Sequence, residues 1–359
     1  MIFNNASKPL TLPTHEGSGQ AVHPSVIDFK VEHGISSWGG YRYWMAMTPY
    51  PFTNDAHEDP NLIASNDNVN WVVPNGITNP LDDALGGMTN GFHNDPDMVY
   101  NPDTNELWLY YRFSSSAKQE TKLIKISEDM SVTEPQVVML LQPFTQNTNV
   151  TRSFCVWRED STKWHMWGSG GARPYKNYYF SSPNGIEWSS PTQVLNGEGV
   201  DPFHAIGYEV WHMSCKPNLK ENRIEFMTYC WTLGGGQSRT AKIIHTIALT
   251  SELTIMTTPV VVLGAGSGWD GSHLYRPSFV IEEVGEEDKY HLWYSAIGGG
   301  RWGIGYTSYE PYPTIPDVPK EIGNYWHEIK SSSAEGLNIE EIKVNLGYWH
   351  EVKEVFVKR

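Results

Sequence analysis

The chain has 359 residues, of which 39% are hydrophobic and 13% aromatic, and this composition indicates an ordered protein with a sizeable core. A formal net charge of −15 disfavours a nucleic-acid partner, because phosphate binding needs a basic stripe and none is visible. Thirty-two Gly and 23 Pro beside 15 Trp and 19 Tyr favour short strands joined by turns, and we therefore predict an all-β fold.

Several other classes of protein find no support in the sequence. Cys155, Cys215 and Cys230 are too few and too scattered for a disulfide framework or a zinc site. Residues 1–21 form a lead-in segment without the pattern of a secretory signal, and no apolar run approaches the length of a membrane span. We expect neither a signal peptide nor a membrane partner.

Five similar units follow one another between residues 22 and 310. Each contains an opening residue, a short apolar strand, a polar turn and a strand rich in aromatic residues. The units are His23–Met47, Asp95–Tyr111, Arg152–Ser169, Asp201–Ser214 and Arg276–Ala296. Such a period is typical of four-stranded sheets arranged around an axis, and it predicts a five-bladed β-propeller over residues 22–310. A β-sandwich is the alternative.

A second signature follows the aromatic strands. "ASNDNVNW" at residues 64–71 and "SSPNGIEW" at residues 181–188 are near copies, and both predict a strand that ends in a tight turn. Beyond the repeats, four prolines at positions 311, 313, 316 and 319 predict a stiff linker over residues 311–323. The duplicated "NYWHEIK" and "GYWHEVK" predict a C-terminal β extension over residues 324–359, which either completes the ring or begins an attachment element.

The blade motifs resemble two groups of known proteins. The repeats are similar to those of the five-bladed glycosidase superfamily that includes glycoside hydrolase families 43 and 32. The segments "YRYWMAMTPYP", "ASNDNVNW", "NDPDMVYNPDTNELWLYYR" and "YWHEVKEVFVKR" more closely resemble propeller proteins from tails of phages and prophages of Gram-positive bacteria. The resemblance covers about four fifths of the chain, and its motifs are more specific for the fold than for an activity.

The propeller resemblance implies that the opening residues gather around the central channel. They are His23, Asp95, Arg152, Asp201 and Arg276. Glycosidases of the superfamily use an Asp in the first blade as base or nucleophile, and this chain has His23 there. If the protein is an enzyme, Asp95 and Asp201 are the carboxylate pair and Glu58 or Glu209 is the acid. Two nearby arginines would lower carboxyl pKa values and oppose a neutral acid. We therefore favour a structural or ligand-orienting role for Asp95.

A further ligand-binding group is expected in the loop before the fifth blade. Trp269 is predicted to overhang the channel mouth and stack on a sugar ring, with Asp270 and His273 bonding hydroxyls, and the alternative is that it folds back onto its own blade. Trp38 and Trp302 lie in other loops and are further candidates. The Gly-rich loops lack the Lys-Ser/Thr of a phosphate site, and no histidine pair has a metal-ligand spacing. We predict no cofactor and no metal.

These features lead to a functional hypothesis through the resemblance. We predict a phage tail-tip or receptor-binding protein, located in the virion and made in the host cytoplasm without a signal peptide. Its expected partners are cell-wall polysaccharide or teichoic acid of a Gram-positive host and other tail or baseplate proteins, with a homotrimer as one possible assembly. The alternatives are a glycosidase acting on cell-surface polysaccharide and a purely structural tail propeller.

Overall fold

The computed structural model describes residues 1–84, 90–141, 151–284 and 287–310, together with the backbone of residues 341–342 and 355–356. It confirms the all-β five-bladed propeller. Blade I contains β1 (Ala21–Asp28), β2 (Tyr43–Pro49) and β3 (Asn61–Ser65), with helix α1 (Phe29–His33) after β1. Blade II contains β4 (Phe92–Asn101), β5 (Glu106–Ser114), β6 (Gln119–Ser127) and β7 (Gln136–Leu141).

The remaining blades follow in chain order. Blade III contains β8 (Ser153–Asp160), β9 (Lys163–Gly170), β10 (Lys176–Ser182) and β11 (Thr192–Gln193). Blade IV contains β12 (Tyr208–Asn218), β13 (Arg223–Thr232), β14 (Lys242–Leu249) and β15 (Val260–Gly264). Blade V contains β16 (His273–Val284), β17 (Glu287–Gly298) and β18 (Arg301–Tyr309). All pairings within the blades are antiparallel, and the first strands β1, β4, β8, β12 and β16 contact one another in a ring.

The N-terminal segment lies against the outer edge of blade V. Pro9 forms an antiparallel bridge with Gly305, and the Leu10 amide donates a 2.8 Å hydrogen bond to the carbonyl oxygen of Ile304. Blade V itself has three strands, and the start of the chain covers part of its exposed edge with this bridge.

The near-identical turns predicted after the aromatic strands are present in blades I and III. In blade III the Ser182 hydroxyl accepts from the amide of Gly185, and the Asn184 side chain accepts from the next two amides. Gly185 has a φ of +73°, and a Cβ there would lie 2.7 Å from the Tyr110 hydroxyl. In blade I Asn68 takes the equivalent place with a φ of +61°. Side-chain capping therefore builds this turn locally, as expected for Ser and Asx residues.

The fourth unit differs from the sequence prediction. The segment "VWHMS" was expected to be its second, aromatic strand, but it belongs to β12, the inner strand of blade IV. Its aromatic partner is β13, which contains Phe226, Tyr229 and Trp231. "Trp-His-Met" also occurs in β9, where it is a second strand, so the same three residues occupy different strands in two blades. His212 consequently lies at the axis.

The chain divides into two compact units, Met1–Pro311 and Tyr312–Arg359. Within the second unit, β19 (Glu341–Ile342) pairs with β20 (Val355–Phe356) in an antiparallel manner. The predicted Pro-rich linker and most of the predicted extension lie outside the described residues, and the predicted domain boundaries stay predictions. Among the described residues, no helix is long and apolar enough to cross a membrane.

A buried carboxylate connects blades IV and V. The side chain of Glu225 accepts hydrogen bonds from Asn218 (2.9 Å), Arg223 (2.9 Å), His245 (2.8 Å) and the Tyr290 hydroxyl (2.9 Å). Burial by itself raises the pKa of Glu225, but the bonds from His245, Asn218 and Arg223 prevail and lower it to about 2. The ionised form therefore stabilises the folded state.

We expect Glu225→Gln to reduce the free energy of unfolding at pH 7 by roughly 2 to 3 kcal/mol. The folded pKa of Glu225 lies below its ordinary value of 4.5, so its contribution is complete above that value and is lost as the pH falls toward 2. The difference between the two proteins should shrink between pH 5 and about 3. Urea unfolding at both pH values tests this, and a pH-independent difference would contradict it.

Candidate functional site

Irregularities in the inner strands turn polar side chains toward the axis. The pairing of β1 with β2 is interrupted at His23 and Pro24, and that of β4 with β5 at Asp95 and Pro96. His23 and Asp95 have φ values of +57° and +54°, which are uncommon for residues other than glycine. A similar interruption in blade V places Arg276 just before Pro277. Bulges of this kind occur often beside active sites because they redirect one side chain.

Asp95 is the centre of the resulting cluster. Its carboxylate lies 2.8 Å from His212 Nδ1, 3.6 Å from His23 Nε2 and 3.4 Å from Arg276 Nη1, and 3.9 Å from Arg112 Nε. Residues from four blades therefore meet at the Asp95 carboxylate, and all of these side chains are at least about nine-tenths buried. The structure brings together three of the five predicted axial residues, His23, Asp95 and Arg276.

Burial and neighbouring charges determine which titratable groups of this cluster are ionised. Burial raises the pKa of Asp95, but His212, His23 and Arg112 outweigh it and hold that pKa well below its usual value. Burial lowers the pKa of His212 to about 4 and that of His23 well below its usual value, although Asp95 opposes both shifts. The site therefore contains an ionised carboxylate beside two neutral imidazoles at neutral pH.

These three side chains have the chemistry of a metal site. One ligand atom each from His23, Asp95 and His212 lies within 4.8 Å of the other two. The Nε2 atoms of both histidines are buried and have no hydrogen-bond partner, while Nδ1 of His23 contacts the Thr48 hydroxyl at 2.9 Å. The carboxylate of Asp95 lies 3.6 Å from His23 Nε2, near the spacing of about 3.4 Å between tetrahedral ligands that are about 2 Å from an ion. Neutral imidazoles and a carboxylate are the forms that bind a divalent ion.

Glu58 borders the cluster from the loop after β2. Its Oε1 lies 3.6 Å from His23 Nδ1, and burial together with Asp95 raises its pKa well above the usual value. His93 fixes this loop, because its amide donates to the Glu58 carbonyl oxygen at 2.7 Å and its Nδ1 contacts the Asp59 carboxylate at 2.7 Å. Asp82 binds the other ring nitrogen of His93 at 3.1 Å. His93 therefore acts as a positioning residue for Glu58.

Aromatic rings surround the two histidines. The Tyr275 ring lies 5.2 Å from that of His23 and 4.2 Å from that of His212. Beyond it, Trp302 lies 5.3 Å from Tyr275, and Trp211 donates a long hydrogen bond to the Tyr275 hydroxyl. Rings of this kind can stack on the apolar faces of sugars where they reach solvent.

Three predicted site residues lie away from the cluster. Asp201 precedes β12 and accepts hydrogen bonds from the amides of Phe203 and His204, which begin a short 3-10 turn. Glu209 is fully buried and bonds Arg173 and Trp231, so its carboxylate holds a loop to blade IV. Arg152 lies just before β8, with its guanidinium 5.1 Å from the Tyr175 ring. His212, which the prediction missed, takes the axial place given to Asp201.

Trp269 and Asp270, in the loop before β16, contact the N-terminal segment and blade V and not the cluster. Trp269 donates to the Ala6 carbonyl oxygen at 2.8 Å and packs 5.4 Å from the Tyr294 ring. Asp270 accepts from Asn5 (2.7 Å) and from the Tyr294 hydroxyl (2.9 Å). Both residues therefore anchor the N-terminal segment on blade V, and the predicted overhang of the channel mouth by Trp269 is not present.

The other predicted loop residues are packed to different degrees. Trp38 is 2% exposed and donates to Asn105 at 2.9 Å, so it is a core residue and not a surface ring. Trp302 is 5% exposed and contacts His273 at 5.3 Å. His273 is half-buried, and burial lowers its pKa. Of the predicted loop group, His273 and Trp302 lie nearest to the aromatic surroundings of His23.

A cavity of about 680 Å³ lies at the other end of the inner strands. Residues at the ends of all five inner strands line it, among them Ile27, Tyr100, Trp157, Pro217 and Ile281. Lys216 lies in its wall and bonds Glu32 and the Val26 carbonyl oxygen. This cavity lacks the grouped His and Asp ligands, and we place the chemistry at the cluster.

Comparison with known proteins gives relatives of the same architecture. No known protein family's sequence profile matches the chain. The chain is 24% identical over 325 residues to the A type blood N-acetyl-alpha-D-galactosamine deacetylase of Flavonifractor plautii, an alignment that covers 77% of this chain. It spans about 40% of the length of that curated relative.

Solved structures extend the similarity. An N-acetylgalactosamine deacetylase from F. plautii in complex with blood group B trisaccharide superposes with a TM-score of 0.71 and 19% identity, covering 86% of this chain and 95% of that chain. A thermostable family-43 glycoside hydrolase superposes with a TM-score of 0.51 and 11% identity, covering 82% and 91%. At these identities the comparisons establish the propeller fold, and the resemblance to family-43 enzymes is confirmed at that level.

The prediction of a phage tail-tip or receptor-binding protein is wrong. The relatives named above are a carbohydrate deacetylase and a family-43 glycoside hydrolase, and none of them is a phage tail protein. The resemblance to phage tail proteins rested on blade motifs. Such motifs indicate how a blade packs and do not identify a function. The predicted virion location, wall-polymer partners and trimer are not tested by these comparisons.

Proposed function

We propose that this protein is a metal-dependent carbohydrate deacetylase that hydrolyses the N-acetyl group of an amino sugar. The observation that carries the proposal is the group of His23, Asp95 and His212, whose ligand atoms meet at the axis with two buried, unpartnered imidazole nitrogens. The similarity to an N-acetylgalactosamine deacetylase supports the choice of reaction. Three protein ligands with a further open position are typical of catalytic metal sites.

The residues of the cluster fit distinct parts of amide hydrolysis. His23, Asp95 and His212 would hold a divalent ion such as Zn²⁺, and its positive charge would polarise the acetyl carbonyl, acidify water and favour the ionised form of Glu58. Glu58 can then take a proton from water as the water oxygen adds to the amide carbon. Glu58 returns the proton to the nitrogen as the carbon–nitrogen bond breaks, which yields acetate and the free amine. Arg276 and Arg112 keep Asp95 ionised throughout.

The reaction should depend on a metal ion bound by the axial histidines. We expect exhaustive chelation to lower acetate release from N-acetylated hexosamines by at least about 100-fold, with recovery on adding Zn²⁺ or another divalent transition ion. His212→Ala should abolish both the recovery and stoichiometric metal binding measured by calorimetry. Leu219→Ala, at the opposite end of β12, serves as the control. Full activity after chelation would contradict the metal, and no acetate from any such sugar would contradict deacetylation.

Glycoside hydrolysis is the second candidate. Glu58 has a raised pKa and Asp95 a lowered one, and such opposed carboxyl groups are what a glycosidase acid and its partner require. Asp95, however, is 1% exposed and bonded on several sides, which leaves little room for a sugar carbon. Reducing-sugar release without acetate, insensitive to chelation, would favour this candidate over the first.

A further inference from the structure

The loop between β2 and Glu58 carries a strained aromatic residue on the surface. Phe52 and Thr53 have φ values of +51° and +65°, in a region that bulky and β-branched residues rarely adopt. The side chain of Phe52 is nevertheless 68% exposed, so packing in the core does not compensate the strain. Backbone strain of this kind is concentrated at functional sites such as ligand clamps.

Buried groups hold this loop in place. The Gln20 side-chain carbonyl accepts from the amides of both Phe52 (3.4 Å) and Trp302 (3.1 Å). The Trp302 indole donates to the Thr53 hydroxyl at 3.2 Å, and the Tyr50 ring packs 5.5 Å from the Trp302 ring. Gln20 is 1% exposed. Phe52 is therefore presented by a rigid support and not by a loose loop.

The loop lies beside the proposed reaction centre. Trp302 is 5.3 Å from Tyr275, and Tyr275 is 5.2 Å from His23, so two ring contacts separate the support of Phe52 from the cluster. The same loop continues through a short 3-10 turn, Asp55–His57, directly into Glu58. The support of Phe52 and Glu58 therefore belong to one continuous segment of the chain.

We infer that Phe52 and Arg301 form a binding subsite for the sugar next to the acetylated one, so that the substrate is an oligosaccharide. The inference rests on the proposed function. The exposed Phe52 ring offers a stacking face to the apolar side of a hexose. The guanidinium of Arg301 lies 5.8 Å from the centre of that ring, where its donors can bond hydroxyl groups of the same sugar.

The test measures the effect of Phe52→Ala on two substrates of different length. For a trisaccharide ending in an N-acetylhexosamine, we expect Phe52→Ala to lower kcat/KM for acetate release about 10-fold or more, as loss of one stacking contact predicts. For the free N-acetylhexosamine, Phe52→Ala should leave kcat/KM unchanged, because that sugar does not reach Phe52. Phe52→Tyr should restore the trisaccharide rate, and Leu219→Ala, 64% exposed at the far end of β12, should affect neither.

Other outcomes separate this subsite from the proposed function. Equal losses on both substrates, or no loss on either, would overturn the subsite while leaving deacetylation in place. If the wild-type protein releases no acetate, deacetylation fails, and titration of the same trisaccharide then decides the subsite. About 10-fold weaker binding by Phe52→Ala supports it. Equal binding by both proteins, or none by either, overturns it.

Discussion

Asp95→Asn is expected to lower kcat/KM for acetate release by at least about 1,000-fold, because it removes the negative charge that would bind a metal ion. The substitution keeps the size of the side chain and a hydrogen bond to His212, so the fold should persist. Acetate release and metal content, measured on the same preparation, test this expectation. Asp103→Asn is the control, since Asp103 is exposed and pairs with Arg158 at the other end of the inner strands.

The outcome distinguishes the competing views of Asp95. Retained acetate release, within about 10-fold of the wild-type rate, would show that Asp95 only joins the blades. A loss of metal together with a loss of activity would place Asp95 among the ligands. A loss of reducing-sugar release with metal binding intact would favour the glycosidase alternative.

Arg276→Met is expected to reduce the free energy of unfolding by about 3 to 5 kcal/mol. Arg276 is fully buried, and its guanidinium lies 3.4 Å from Asp95 and 3.2 Å from Asp97, with a further bond to the Phe154 carbonyl oxygen at 3.1 Å. Without it, two buried carboxylates lose their shared cation. Denaturant unfolding at pH 7 measures the effect.

A matched substitution controls for the loss of an arginine. Arg301→Met removes an exposed guanidinium from the same blade and should change stability by less than about 1 kcal/mol. An unchanged unfolding midpoint for Arg276→Met would show that the axial network contributes nothing to folding.

The sequence was sufficient for the fold because the signals of a blade are local. In the Ser182–Gly185 turn the Ser182 hydroxyl accepts from the amides two and three residues further along the chain, and such a signal is visible in the sequence. The repeats then predict a ring, whatever the details of each blade. His23, Asp95 and Arg276 were placed correctly at the axis, and each of them precedes a proline within an interrupted strand.

The site was only partly predictable. Asp201 opens with an Asp-Pro step like Asp95, yet its carboxylate begins a short turn, and Glu209 binds a loop arginine. His212 was missed because "Trp-His-Met" reads the same in β9 and β12, and no proline marks its place. A stronger signal was the long aromatic strand "RIEFMTYCWT", which follows β12 and requires an inner strand before it.

The amino-acid sequence by itself determined the five blades, their turns and three of the axial residues, since these depend on neighbours within one blade. Only the tertiary structure decided that His23, Asp95 and His212 share one centre, because they come from blades I, II and IV and their separation in the chain carries no ligand spacing. The pKa values of Asp95, Glu58 and the two histidines likewise depend on burial and on charges from other blades. Local pairing fixes the blades, and closure of the ring creates the site.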